Sequence, residues 1–255
     1  MLVALFAVAG LLFGSFVTVL VHRLPRRESV VGPRSRCPGC GTVIRAVDNV
    51  PLVSYLVLRG KCRACGERIS PEYPLTELGT AALFAAAALL IRPLYAAALV
   101  APFLGVMLAV ALIDVRWRIV PNGLTYPSLL VFLVAIVAGH AAGGGVDAGS
   151  GLLGLALYAG PLFLLAMILP AGMGMGDVKL AALIGLVLGS LGLAYVAVAA
   201  FAGVVGGGLG AVLAMAALGY GRKQQMPFGP FLAAGAVVAA LAAPQIAGVY
   251  LSLLG

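Results

Sequence analysis

Two aspartates, Asp114 and Asp177, are the side chains in this sequence best suited to acid–base chemistry, and four cysteines are best suited to holding a metal. Asp114 follows the apolar run Ala111-Leu112-Ile113, and Asp177 sits in Gly172-Met173-Gly174-Met175-Gly176-Asp177-Val178-Lys179-Leu180. Ionisable groups at membrane depth are costly to hold and mark functional sites. Two carboxylates sharing one proton titrate in separate steps. One stays ionised and activates a water, while the other stays neutral and protonates a leaving amide nitrogen. Glycines lack Cβ and adopt backbone angles closed to other residues, so Gly174 and Gly176 would let an extended peptide approach Asp177. With Lys179 they are the candidate substrate-binding residues. Simpler roles exist for each aspartate: Asp114 could pair with Arg116 or Arg118, and Asp177 could cap a helix or pair with Lys179.

The cysteines form two C-x-x-C pairs, Cys37-Pro38-Gly39-Cys40 and Cys62-Arg63-Ala64-Cys65, separated by 21 residues. Four thiolates in two close pairs fill a tetrahedral Zn²⁺ shell, and this spacing is near the usual paired-knuckle range. The alternatives are a redox pair, which would not need duplication, and unmetallated thiols. A closed four-cysteine shell leaves no position for a water, so Cys37, Cys40, Cys62 and Cys65 are expected to ligate a structural zinc that folds the segment around them.

These groups must be positioned by membrane helices. Of the 255 residues, 63% are hydrophobic and 9% charged, with a mean hydropathy of +1.14, which excludes an ordinary soluble domain. The apolar blocks 75–113 and 180–218 each run 39 residues. One straight helix of that length would measure about 58 Å, nearly twice the hydrocarbon core, so each must be two spans. The expected turns are Arg92-Pro93 and Gly189-Ser190, and a Gly-rich hinge at 139–151 divides 124–169 in the same way. Gly203, Gly206, Gly207, Gly208 and Gly210 suit close helix packing in one span. The expected fold is an all-α polytopic membrane protein of about eight transmembrane helices. Residues 1–22 form a retained first span, 23–75 a cytosolic zinc-knuckle domain, and 76–255 a seven-helix membrane domain.

Charge sets the orientation. Fifteen of the sixteen Lys and Arg residues, Arg222 and Lys223 among them, fall on one side of this arrangement and only Arg92 on the other. That side is therefore the cytosol, with both termini outside, and the zinc domain and both aspartates face inward. The net charge of +8 is accounted for by topology, with no nucleic-acid partner implied. The segment from Arg23 to Leu75 carries ten basic and four acidic residues, a balance suited to anionic lipid headgroups. His22 and His140 have no evident partners.

The chain resembles the type IV prepilin peptidase family, GxGD-type aspartyl proteases that are also N-methyltransferases. The resemblance runs over nearly the whole length: Gly14-Ser15-Phe16, Arg23-Leu24-Pro25, the paired cysteines, Asp48-Asn49-Val50-Pro51, Ser70-Pro71-Glu72-Tyr73-Pro74 and Glu77. It continues through Ile113-Asp114, Ile119-Val120-Pro121-Asn122, Gly174-Met175-Gly176-Asp177-Val178-Lys179 and Pro227-Phe228-Gly229-Pro230-Phe231. Thr18 and His22 depart from the pattern of the first helix. The resemblance implies that Asp114 and Asp177 are a catalytic dyad in the bacterial inner membrane. The substrates would be prepilins and pseudopilins, cut at the cytosolic face after a glycine ending a short basic leader. The new N-terminal residue would then be methylated with S-adenosylmethionine, although no Rossmann-type glycine turn for that donor is visible between Arg23 and Leu75. Two other readings compete: a transporter using Asp114 and Asp177 for proton or cation coupling, and a non-enzymatic zinc-bearing assembly factor. Transporter sites lie near the bilayer midplane, whereas these aspartates fall at one face.

Overall fold

The computed structural model of the chain describes residues 1–168, 174–218 and 227–254, all helical or irregular, with no strands among them. Gly172, Arg222 and Lys223 lie outside the described residues. The first helix, α1, is Leu2–Arg23, followed by a polar segment with two short 3-10 turns, Leu24–Arg26 and Ala46–Asn49, and the short α2, Val53–Val57. Seven longer helices follow: α3 Glu72–Leu90, α4 Leu94–Trp117, α5 Asn122–Ala141, α6 Ala148–Ile168, α7 Met175–Leu191, α8 Leu193–Leu218 and α9 Gly229–Leu254. Six of the helices are long and apolar enough to cross a membrane. The 17-residue α7 and the stretch Gly229–Ala243 of α9 are shorter.

The breaks follow local chemistry. Arg92 and Pro93 separate α3 from α4, and the Arg92 guanidinium donates to the Ala88 carbonyl at 2.8 Å, covering an open end of α3. The second expected turn is displaced. Helix α7 runs through Gly189 and Ser190 and stops at Gly192, whose φ of +142° only glycine holds readily. Gly189 is instead a packing position: a Cβ there would lie 2.7 Å from the Ser150 carbonyl of α6.

Glycine spacing sets which helices touch. Gly10 and Gly14 bring α1 against the backbone of α3 at Ala81 and Glu77, Gly154 and Gly185 bring α6 against α7, and Gly207 and Gly210 receive the rings of Phe228, just before α9, and Phe231, on it. In lipid no hydrophobic force drives helices together, so close backbone approach and dispersion must hold them. The helices differ in how far they are enclosed. On α5 and α6, Leu130, Val131, Val134, Leu153, Leu157 and Leu164 are exposed, as a lipid-facing surface requires. The core consists largely of α4 and α7, with Phe103, Leu104, Met107, Ile113, Leu180, Leu183 and Ile184 fully buried. Those two helices carry the aspartates.

At the far end, three connections interlock. The Asp147 amide donates to the Ser190 carbonyl at 2.8 Å, Gly145 lies against the Pro93 ring, and Gly144 lies against the Tyr95 ring.

At Gly154 any added Cβ would meet the Gly185 carbonyl and approach Gly189 Cα to 2.8 Å, whereas at Gly160 it would meet nothing within 4 Å. Gly154→Leu is expected to lower stability by about 1–3 kcal/mol through overpacking, and Gly160→Leu to leave it unchanged. Thermal unfolding in detergent compares the two.

Candidate active site

Four helix ends meet where α4 finishes and α5, α7 and α9 begin. Asp114 lies on the last turn of α4, buried to 4% exposure. Arg118, in the left-handed conformation at φ 52°, donates its amide to the Asp114 carbonyl at 2.9 Å and ends the helix. The Asp114 side chain is fixed from another direction, because the Gly229 amide donates to its Oδ2 at 3.0 Å. Gly229 opens α9 with Pro230 behind it, a residue whose fixed φ suits the first turn. A Cβ on Gly229 would lie 2.7 Å from Asp114 Oδ2, so this contact needs glycine. Gly229 belongs to a motif that sequence reading singled out, but its tie to Asp114 spans 115 positions and leaves no local signal.

Asp177 is half-buried in the first turn of α7, and its amide donates to the Gly174 carbonyl at 3.1 Å. It lies at the same end of the bundle as Asp114, because the adjoining Gly176 packs on Val120, six residues after Asp114. The simpler roles for the two aspartates find no support in the contacts. Arg116 pairs with Glu72 at 2.7 Å and not with Asp114. Lys179 donates to Asn122 Oδ1 at 2.8 Å and lies 5.0 Å from the Tyr126 ring centre, so it is engaged with α5. The N-cap of α7 is Gly174, with no side-chain cap bond. Of the candidate substrate-binding residues, Gly174 is exposed and extended beside Asp177. Gly176 packs on the loop before α5, where a Cβ would lie 3.0 Å from Val120 Cβ.

A second cluster joins the start of α3 to this end of the bundle. Glu72, held by Arg116, lies 3.9 Å from His22, whose ring stacks on Tyr73 at 5.7 Å. His22 thus has partners that sequence alone did not reveal, and His140 likewise lies 3.2 Å from Asp147. Glu77 is buried in the second turn of α3 and accepts the Leu52 amide at 2.8 Å.

The four cysteines converge. Their sulfurs lie within 4.8 Å of one another, and Cys37 Sγ is 3.8 Å from Cys65 Sγ. A tetrahedral shell at Zn–S of about 2.3 Å has edges of about 3.8 Å. Each pair sits on the same kind of turn. The Cys37 amide donates to the Thr42 carbonyl at 2.9 Å, and the Cys62 amide donates to the Glu67 carbonyl at 2.8 Å. Gly41 and Gly66 follow the second cysteine of each pair at φ +70° and +75°. The Thr42 hydroxyl and then its backbone hold the Cys40 thiol down to about 6. Backbone donors at Cys65 and Ala64 lower that of Cys62. Both effects favour the thiolate that a metal binds. The donor set and geometry fit zinc held for structure.

Comparison with known proteins agrees along the chain. The profile described as "Bacterial Peptidase A24 N-terminal domain" matches residues 8–91, and that described as "Type IV leader peptidase family" matches residues 101–212. A prepilin leader peptidase/N-methyltransferase of Bacillus subtilis (strain 168) is 36% identical over 250 residues, covering 96% of each chain. One of Burkholderia pseudomallei (strain K96243) is 36% identical over 261 residues, covering 89% of this chain and 81% of its own. One of Klebsiella pneumoniae is 38% identical over 196 residues, covering 71% and 82%. No solved structure matches the chain.

Elemental analysis of the purified chain should find one zinc, and Cys37→Ser should lower that content while the helical circular dichroism of the membrane helices persists. A metal-free wild type with four titratable thiols would remove the zinc assignment.

Proposed function

The chain belongs to the type IV leader peptidase family, and on that premise we propose that it cuts the leaders of prepilins and pseudopilins using Asp114 and Asp177. It is a peptidase and N-methyltransferase by kinship with relatives that cover nearly its whole length. The reading rests on one observation above all: in a member of this family, two aspartates from distant helices lie at one end of the bundle, Asp114 held by Gly229 at the start of α9 and Asp177 beside Gly176, which packs on the loop after Asp114.

In the proposed mechanism the scissile peptide lies extended along Gly174, across the two carboxylates. The ionised aspartate takes a proton from water, whose oxygen attacks the carbonyl carbon. The C–N bond then breaks as the amide nitrogen receives a proton from the neutral aspartate. The Gly229 amide holds Asp114 Oδ2, leaving Oδ1 free to face the water. The substrate's apolar helix stays in lipid beside the bundle, while its cut site, after a glycine, meets carboxylates at the membrane surface.

The proposed setting is the bacterial inner membrane, crossed eight times, with α7 and α9 spanning beside the other six long helices. Residues 1–22 and 76–255 would form the membrane part and 23–75 the cytosolic zinc domain, held by Cys37, Cys40, Cys62 and Cys65. The second activity would pass a methyl group from S-adenosylmethionine to the new terminal amine. A cleft of about 540 Å³ beside Tyr55 is large enough for a small ligand, but Arg59, Lys61 and Arg68 line it and no carboxylate does. A ring of cations is unfavourable beside a sulfonium, so this cleft is not proposed as the donor's site.

Asp114→Asn and Asp177→Asn should each lower cleavage of a purified prepilin by about 100- to 10,000-fold, with thermal stability retained. Full activity in either variant would dismiss the dyad. Gly229→Ala should also lower the rate, because its methyl group would displace the Asp114 carboxylate.

A further inference from the structure

The polar segment between α1 and α3 is not wholly polar on its surface. Val47, Val50, Val53, Leu56 and Val57 are all exposed, Leu56 to 72%. Five such side chains in eleven residues of a small domain form a patch that water does not favour. A contact already described sets their depth. The Leu52 amide donates to Glu77, five residues into α3, which is about 7.5 Å along that helix from its start. Helix α2 begins at the next residue, Val53, so its start is tied to the first turns of α3. On α3 itself Leu75 and Leu78 are exposed as well.

Directly after α2 the charge changes. Arg59, Lys61 and Arg68 line the 540 Å³ cleft with Tyr55 and Ser70, and its rim at Pro71 leads straight into α3. Lys61 and Arg68 face each other across an antiparallel bridge, a pairing of like charges that is unfavourable unless an anion lies between them. Arg59 joins them from a left-handed backbone position, φ 53°. The neighbouring Arg63, in contrast, is neutralised by Asp48 at 2.6 Å. None of the three cleft cations has an ion-pair partner among the described residues.

We propose that residues 47–57 lie within the leaflet on the aspartate side, and that Arg59, Lys61 and Arg68 take the phosphate of an anionic phospholipid headgroup. The valines and Leu56 reach the acyl boundary, the cleft sits at headgroup level, and Glu77 fixes the height of both. A lipid headgroup suits this cleft better than a free phosphate because apolar side chains that match its acyl chains begin at the adjoining helix. The proposal depends on the membrane orientation given above and not on peptide hydrolysis.

The chain has one tryptophan, so a Trp117→Phe, Leu56→Trp variant carries a single probe at α2. Reconstituted in phosphatidylglycerol vesicles with brominated acyl chains, its fluorescence should be blue-shifted and strongly quenched by bromine. Emission that bromine does not quench overturns the insertion, whether the probe is open to aqueous acrylamide or shielded by a protein partner. The cleft is tested by native mass spectrometry of lipid retained from mixed phosphatidylglycerol and phosphatidylcholine. Combined Arg59→Gln, Lys61→Gln and Arg68→Gln changes should reduce the preference for the anionic lipid on the order of a hundredfold, with zinc content unchanged as proof of folding. An unchanged preference in the zinc-loaded variant, or displacement of the lipid by excess inorganic phosphate, overturns the headgroup site. Loss of cleavage in an Asp114 or Asp177 variant bears on neither result.

Discussion

A single backbone hydrogen bond, from the Gly229 amide to Asp114 Oδ2, joins the end of α4 to the start of α9. A carboxylate buried among apolar helices is tolerable only when its oxygens have partners or reach water. Here the partner is a main-chain donor, available because a glycine lets α9 begin against α4 and a proline commits it to a helix at once. The rest of the bundle is arranged around that join. The two helices that carry aspartates are the enclosed ones, and α5 and α6 present exposed leucines and valines at the periphery.

What holds α7 in place is different in kind. It is short, and it is gripped by α6 through glycine-to-backbone contacts at Gly154, Gly185 and Gly189. Its first turn is steadied by Lys179 on Asn122, at the start of α5, and by Gly176 on Val120, in the loop that follows Asp114. Asp114 and Asp177 are therefore linked twice over, once through α9 and once through the loop into α5.

Much of this was legible in the residues. Blocks of 39 apolar residues could only be folded back on themselves, and Arg92-Pro93 marked one break correctly because a proline and a lone charge coincide there. The other break was read at Gly189-Ser190, whereas it falls at Gly192, because glycines that admit a neighbouring helix and glycines that end a helix look alike in one dimension. The cysteine spacing spoke plainly, since ligands of one ion must converge. Gly229, Glu77 and the partners of His22 were obscure for a common reason. Each acts on a residue far away in the chain, and only the folded backbone brings the pair together.

The far-side loops have a mechanical meaning. Three connections, at Pro93, at Gly144 to Asp147 and at Ser190, are bolted to one another by a backbone bond and by rings seated on glycines. The opposite end is tied by single hydrogen bonds and ion pairs between side chains and helix starts. Fastening of this kind makes the end away from the aspartates the stiffer of the two, because backbone contacts and rings seated on glycines leave less room to give than side-chain ties do.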